Sequence, residues 1–189
     1  MEKILFVNAC VRPESRTLIL ARRVLDRLQG MVEEVNLERE GIRSLHYDTL
    51  QQRDAALGAG DMEAPVLRFA RQFAKADVIV MAAPYWDLSF PSMVKNYIEA
   101  VTVCGMTFYY TPEGRPAGLC RARKLIYVTT AGGPIMEPDF GYDYIRALAD
   151  NFYGIPECIA FKAENLDIIG ADVDSILEKV KKKIDESEL

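Results

Sequence analysis

The chain has 189 residues, half of them hydrophobic and 27% charged, which suits one sizeable core and excludes a disordered chain. It holds 23 basic residues against 28 acidic ones, a net charge of −5. With no basic stretch interleaved with aromatics, a nucleic-acid-binding surface is excluded. The Lys179 to Lys183 segment reads as a solvated helix end whose positive charge complements the helix dipole. No apolar run reaches membrane-spanning length, and Met1-Glu2-Lys3 leads directly into a strand with no signal-peptide pattern. The four cysteines, Cys10, Cys104, Cys120 and Cys158, are scattered without metal-ligand spacing, and His46 is the single histidine. These features argue against zinc or any other metal and predict reduced thiols in a cytoplasmic protein.

In chain order, Lys3 to Asn8 is apolar enough to be a buried strand, and Thr17 to Leu28 places Leu18, Ala21, Val24, Leu25 and Leu28 on one helix face. Met31 to Leu37 mixes valines with charges and reads as a partly exposed edge strand. Residues 38–63 are irregular, with a short helix around Asp48 to Ala56. A helix follows from Ala64 to Ala76, then the uniformly apolar strand Val78 to Ala83. Pro84 ends that strand, and Pro91 suits the first turn of a helix reaching about Val103. Thr107 to Thr111, followed by Pro112-Glu113-Gly114-Arg115, reads as a hairpin insertion. Lys124 to Thr130 is a fourth buried strand, and Tyr142 to Tyr153 is helical. Glu157 to Phe161 is a fifth strand, and Asp172 to Glu186 is an amphipathic helix.

Five strands separated by helices predict an α/β fold, a single domain over residues 1–189. Its sheet is doubly wound and parallel, in the five-stranded order 2-1-3-4-5. Such sheets bind ligands beyond the carboxyl ends of their strands, near the reversal of strand order. Three loops lie there. The first, Ala9 to Thr17, lacks both the Walker A and the dinucleotide glycine patterns. It presents Ser15 and Thr17 at a helix start, with Arg12 and Arg16 nearby, a setting for a phosphate dianion; taken alone Ser15 reads as an ordinary N-cap, and its place at the reversal of strand order favours the phosphate role. The second, Pro84 to Pro91, holds Tyr85 and Trp86, which can wall a flat ligand or plug the core. The third, Thr129 to Gly133, ends in two glycines that let a planar ligand approach the main chain, or form an ordinary strand-to-helix turn.

The segment Ala83-Pro84-Tyr85-Trp86-Asp87-Leu88-Ser89-Phe90-Pro91-Ser92-Met93-Val94-Lys95-Asn96-Tyr97 resembles the Pro-x-Tyr-Asn-Phe and Leu-Lys-Asn-Tyr pattern of FMN-dependent NAD(P)H oxidoreductases of the flavodoxin-like azoreductase and quinone reductase family. Gly105 to Thr111 with Gly114 is similar to that family's Gly-x-Thr-Phe-x-Tyr-Thr hairpin, and Thr130-Ala131-Gly132-Gly133 stands where the family has Ser-Arg-Gly-Gly. The resemblance runs from Lys3 to about Phe161.

The resemblance implies FMN rather than FAD, with phosphate on Ser15, Arg16 and Thr17 and with Cys10 near the ribityl chain. The ring would rest along Pro84, Tyr85, Trp86, Asp87 and Leu88, its polar edge meeting Thr130, Ala131, Gly132 and Gly133. Hydride would pass from NAD(P)H to the flavin and on to a quinone or similar aromatic acceptor in a ping-pong cycle, with Tyr85 or Asp87 tuning protonation. It further implies a homodimer in which Phe108 and Tyr110 help to build the partner's substrate pocket. Asp87 in place of an amide, Ala131 in place of arginine and Ile135 in place of histidine depart from the pattern and bear on substrate choice. The rival reading is a flavodoxin-type electron carrier docking a redox protein. The Ala9 to Ser15 loop does not match the compact Gly-rich phosphate loop of such carriers. A third is a flavin-free module on the same fold.

Overall fold

A computed structural model describes residues 1–189. The strand β1 (Lys3–Asn8) leads into helix α1 (Arg16–Arg27), then β2 (Met31–Asn36), α2 (Leu37–Glu40), α3 (Tyr47–Gly58) and α4 (Arg68–Lys75). Next come β3 (Val78–Ala82), α5 (Ser92–Val101), the short strands β4 (Phe108–Tyr110) and β5 (Pro116–Gly118), and β6 (Lys124–Thr130). The chain ends with α6 (Tyr142–Leu148), β7 (Glu157–Ala163) and α7 (Val173–Glu186).

The main sheet is parallel, in the order β2-β1-β3-β6-β7. With the hairpin strands β4 and β5 set apart, its members follow the order 2-1-3-4-5. Residues alternate between the two faces along each strand. Ile4, Phe6, Val78, Val80, Ile126 and Val128 pack under α1 and α7, against Leu20, Val24, Leu177, Val180 and Ile184. Leu5, Val7, Ile79, Met81, Leu125 and Tyr127 pack on the other face against Phe73, Tyr97, Val101 and Ile145 of α4, α5 and α6. The central strand β3 is buried along its whole length because both faces are covered, whereas β2 is an edge strand with four exposed residues.

Several boundaries differ from the sequence expectation. The 38–63 segment is more regular than expected. Besides α2 it holds a twelve-residue α3 with no buried residue, so no hydrophobic stripe marks it. The helix expected from Ala64 begins as a 3₁₀ turn over Pro65–Leu67, as a proline-led start allows. Pro91 is the N-cap of α5 rather than part of its first turn. The helix expected over Tyr142 to Tyr153 widens into a π turn at Ala149–Tyr153 and stops at left-handed Gly154.

That π turn carries the hairpin. Gly118 of β5 lies so close to the Tyr153 and Gly154 backbone that a Cβ would overlap it. Phe108 stacks edge-on against Phe152 at 5.0 Å, and the Tyr153 hydroxyl meets Thr102 Oγ1 at 2.7 Å.

Candidate functional site

The carboxyl ends of β1, β3 and β6 enclose a cleft of about 590 Å³, within the size range of small-molecule sites. One wall is the loop from Val11 to Thr17. Facing it are Pro84, Tyr85 and Trp86 after β3 and Thr130, Ala131 and Gly132 after β6. Leu166 and Asp167, after β7, complete it.

The phosphate-type end is built by the start of α1. Ser15 is the N-cap, its Oγ accepting from the Leu18 N–H at 3.3 Å. The Arg16 and Thr17 N–H groups have no acceptor. They and the helix dipole leave this end of the cleft set for an anion. Thr17 is fully buried and its hydroxyl meets Thr130 Oγ1 at 2.7 Å. What Thr17 offers a ligand is therefore its N–H rather than its side chain. Arg16 is already engaged: Nη1 donates to Asp167 Oδ1 at 2.8 Å and to the Leu166 carbonyl at 3.4 Å. Arg12 lines the cleft without an ion pair.

The aromatic wall is held in an unusual turn. Trp86 and Ser89 exchange two backbone hydrogen bonds of 2.8 Å, and the residues between them, Asp87 and Leu88, have φ of 52° and 67°. This is the two-residue turn with both central residues left-handed, which normally selects glycine or asparagine. The wall is anchored to the sheet by the Tyr85 N–H, which donates to the Thr130 carbonyl at 3.0 Å. Trp86 is 40% exposed. The Tyr85 hydroxyl is buried without a partner, as are those of Tyr127 and Thr129. Tyr127 and Thr129, two apart on β6, point to one face of the sheet. Burial pushes the Tyr127 phenol well above its ordinary range, Asp139 adding to the shift.

The cleft thus brings together Ser15, Arg16, Thr17, Pro84, Tyr85, Trp86, Thr130, Ala131 and Gly132. Cys10, Asp87, Leu88 and Gly133 do not line it. Cys10 is buried among the residues under α1, its thiol 3.9 Å from the Ala82 carbonyl. Burial, with nearby Glu34, pushes that thiol up against the opposing effect of Ser15. Asp87 and Leu88 form the exposed tip of the turn. The glycines also act differently from expectation, since neither Gly132 nor Gly133 has positive φ. The space of a Cβ on Gly132 is taken by the Asp167 carboxylate, and Gly133 faces open space.

On the hairpin, Phe108 is buried against Phe152 of its own chain, so of the two rings expected at a partner's substrate pocket, Phe108 and Tyr110, only Tyr110 is exposed. Tyr109 and Tyr110 are 44% and 56% exposed. Leu166 and Asp167 were not foreseen. They reach the cleft because β7 extends to Ala163 and its following loop is laced to the β6 loop. The bonds are Ala131 N–H to the Ala163 carbonyl at 2.8 Å, Leu166 to Ala131 at 3.2 Å and Asp167 to Gly132 at 2.9 Å.

The family model described as Flavodoxin-like fold matches residues 2–187. The chain belongs to this flavodoxin-like family. Among its relatives, a protein of Clostridium acetobutylicum named FMN-dependent NADH:quinone oxidoreductase 2 is 35% identical over 198 residues, covering 98% of each chain. One of Clostridium beijerinckii, named FMN-dependent NADH:quinone oxidoreductase, is 34% identical over 99% of this chain and 98% of its own. A crystal structure of an azoreductase from Bacillus anthracis superposes with a TM-score of 0.84 at 24% identity over 97% of both chains. A second, an FMN-dependent NADH-azoreductase from Bacillus anthracis in complex with FMN, gives 0.82 at 21% identity, covering 98% of this chain and 97% of that one. At these identities the structures speak to the fold.

Proposed function

We propose that the protein is an FMN-dependent oxidoreductase that takes hydride from a nicotinamide and delivers it to quinones or related electrophilic aromatics. The observation that carries this reading is one cleft joining unpaired helix-start N–H groups to a half-exposed tryptophan wall. It lies in a chain more than 30% identical, over nearly its whole length, to relatives named FMN-dependent NADH:quinone oxidoreductases. Those names support NADH as donor and do not favour an electron carrier.

The residues present fit FMN. The Arg16 and Thr17 N–H groups and the Ser15 hydroxyl would take the phosphate, and Tyr85 and Trp86 would flank the ring. Beyond the ring edge, the Gly132 N–H group, which lacks an acceptor, is available to polar atoms. When bound, the flavin supplies the two-electron chemistry, and the protein supplies position and electrostatics. Trp86 and Pro84 remove water from one side of the ring site. An N–H group near its polar edge favours negative charge there. Of the two side chains expected to tune protonation, the Tyr85 hydroxyl is buried without a partner and Asp87 sits at the turn tip outside the cleft. Donor and acceptor would use the same open face in turn, giving ping-pong kinetics.

Assembly as a two-fold dimer belongs to the same proposal. Tyr109, Tyr110 and Leu119, each at least 44% exposed, give the hairpin an apolar outer surface, of the kind that marks contact sites. Light scattering on wild type and on Tyr109→Ser/Tyr110→Ser tests this; dimer giving way to monomer supports it, and a monomeric, fully active wild type contradicts it. Parallel initial-rate lines with NADH and a small quinone test the cycle, and intersecting lines contradict it.

A further inference from the structure

The Trp86–Ser89 turn requires an explanation for its own persistence. Non-glycine residues in the left-handed region are strained, and two in succession survive only where the surroundings over-determine them. Its own two hydrogen bonds are those of any such turn. The additional restraint comes from the segment entering α6. The Ser89 hydroxyl donates to the Phe140 carbonyl at 3.0 Å. The backbone of Ser89 packs beside Gly141, 3.8 Å from where a Cβ would stand, while Asp139 Oδ1 and the Tyr127 hydroxyl crowd that point at 3.1 Å. The Phe90 ring lies 5.8 Å from that of Tyr144 in α6.

This segment is in turn fixed to the sheet. Asp139, 1% exposed, accepts from the Gly141 N–H at 2.9 Å and the Tyr142 N–H at 3.1 Å through Oδ1. Its Oδ2 meets Lys162 Nζ of β7 at 2.6 Å. The Lys162 ammonium also lies 5.2 Å from the centre of the Tyr142 ring. A continuous chain of polar contacts thus runs from β7 through Lys162, Asp139, Phe140 and Ser89 to Trp86. None of Ser89, Phe140, Asp139 or Lys162 lines the cleft.

We propose that Ser89, Asp139 and Lys162 are positioning residues that hold the Trp86 wall in its left-handed turn and so set the ring end of the cleft. This rests on the flavin reading only for the identity of the ligand. The clamp itself is testable on the protein without flavin, because Trp86 is the one tryptophan in the chain.

The test compares wild type with Ser89→Ala, Ser89→Thr and Lys162→Met. Ser89 is half-buried, so unchanged far-UV circular dichroism and an intact thermal transition first establish that its alanine variant folds. In flavin-free protein, Ser89→Ala and Lys162→Met should each shift Trp86 emission and lower its anisotropy at unchanged far-UV circular dichroism, and Ser89→Thr, which keeps the hydroxyl, should restore both. FMN and riboflavin should weaken alike in Ser89→Ala, by roughly threefold to tenfold for one lost hydrogen bond, placing the loss at the ring rather than at the phosphate. Unchanged Trp86 emission in a folded Ser89→Ala overturns the clamp. A shift in Ser89→Ala with none in folded Lys162→Met overturns the roles of Asp139 and Lys162. Failure of every variant, and of wild type, to bind either flavin would instead contradict the cofactor reading and leave the Trp86 result to decide the clamp.

Discussion

The pair Thr17–Thr130 joins the start of α1 to the end of β6 across the cleft, and its removal has a calculable effect. Thr17→Val keeps volume and branching and deletes one hydroxyl from a fully buried side chain. The loss is one neutral hydrogen bond of 2.7 Å, worth about 0.5–1.5 kcal/mol net. The Thr130 hydroxyl is then left without its partner in a half-buried setting, which brings the total to about 1–2 kcal/mol. For a chain of this size that lowers Tm by roughly 3–6 °C. Thr130→Val should cost about the same. The double variant leaves no orphaned hydroxyl, so it should be no less stable than either single one, a coupling of roughly 1 kcal/mol. Thermal unfolding of the flavin-free proteins supplies the cycle, with FMN and riboflavin titrations as its functional arm. Single effects that simply add in the double variant would show that the two hydroxyls do not interact and that the α1 start is held some other way.

Three further outcomes follow from the same geometry. FMN should quench Trp86 emission in proportion to site occupancy, and stoichiometric binding without quenching would place the ring away from the Trp86 wall. Burial pushes the thiols of Cys120 and Cys158 up to about 12 and about 11, and that of Cys10 up as well. Because these thiols stay protonated at pH 8, iodoacetamide should label exposed Cys104 first, and peptide mass spectrometry showing Cys120 labelled before it would contradict the packing. Gly118→Ala should cost at least about 1–3 kcal/mol in urea unfolding, because the added methyl meets the backbone of Tyr153 and Gly154, and a neutral result would mean the hairpin does not dock there.

The sequence made the sheet legible because β3 is buried on both faces and apolar throughout and β6 carries the apolar run Leu125 to Val128, and because Ser15, Pro84 and Pro91 punctuate the elements around them. The outline of the cleft followed from the loops after the first, third and fourth strands. What escaped was set by contacts without a local signature. No spacing announces that Asp167 will fill the void over Gly132 and engage Arg16, since this depends on how the β7 loop laces to the β6 loop. The resemblance implied a place for Cys10 near the ribityl chain, yet Cys10 packs under α1 and does not line the cleft. The three consecutive aromatics Phe108, Tyr109 and Tyr110 announced an exposed ring by strand alternation, but not that Phe108 would be the buried one. That choice is made by Phe152, 44 positions further along. The helix α3 buries no side chain, so only part of it showed through.

The central claim is that this cleft holds a flavin reduced by nicotinamide. The direct measurement is the visible absorption of protein reconstituted with FMN, followed anaerobically during addition of NADH and then of a quinone. Bleaching of the flavin band by about one equivalent of NADH, with full recovery on quinone addition, is the predicted result. A flavin band that NADH leaves untouched, or a folded protein that takes up no FMN, would contradict the account.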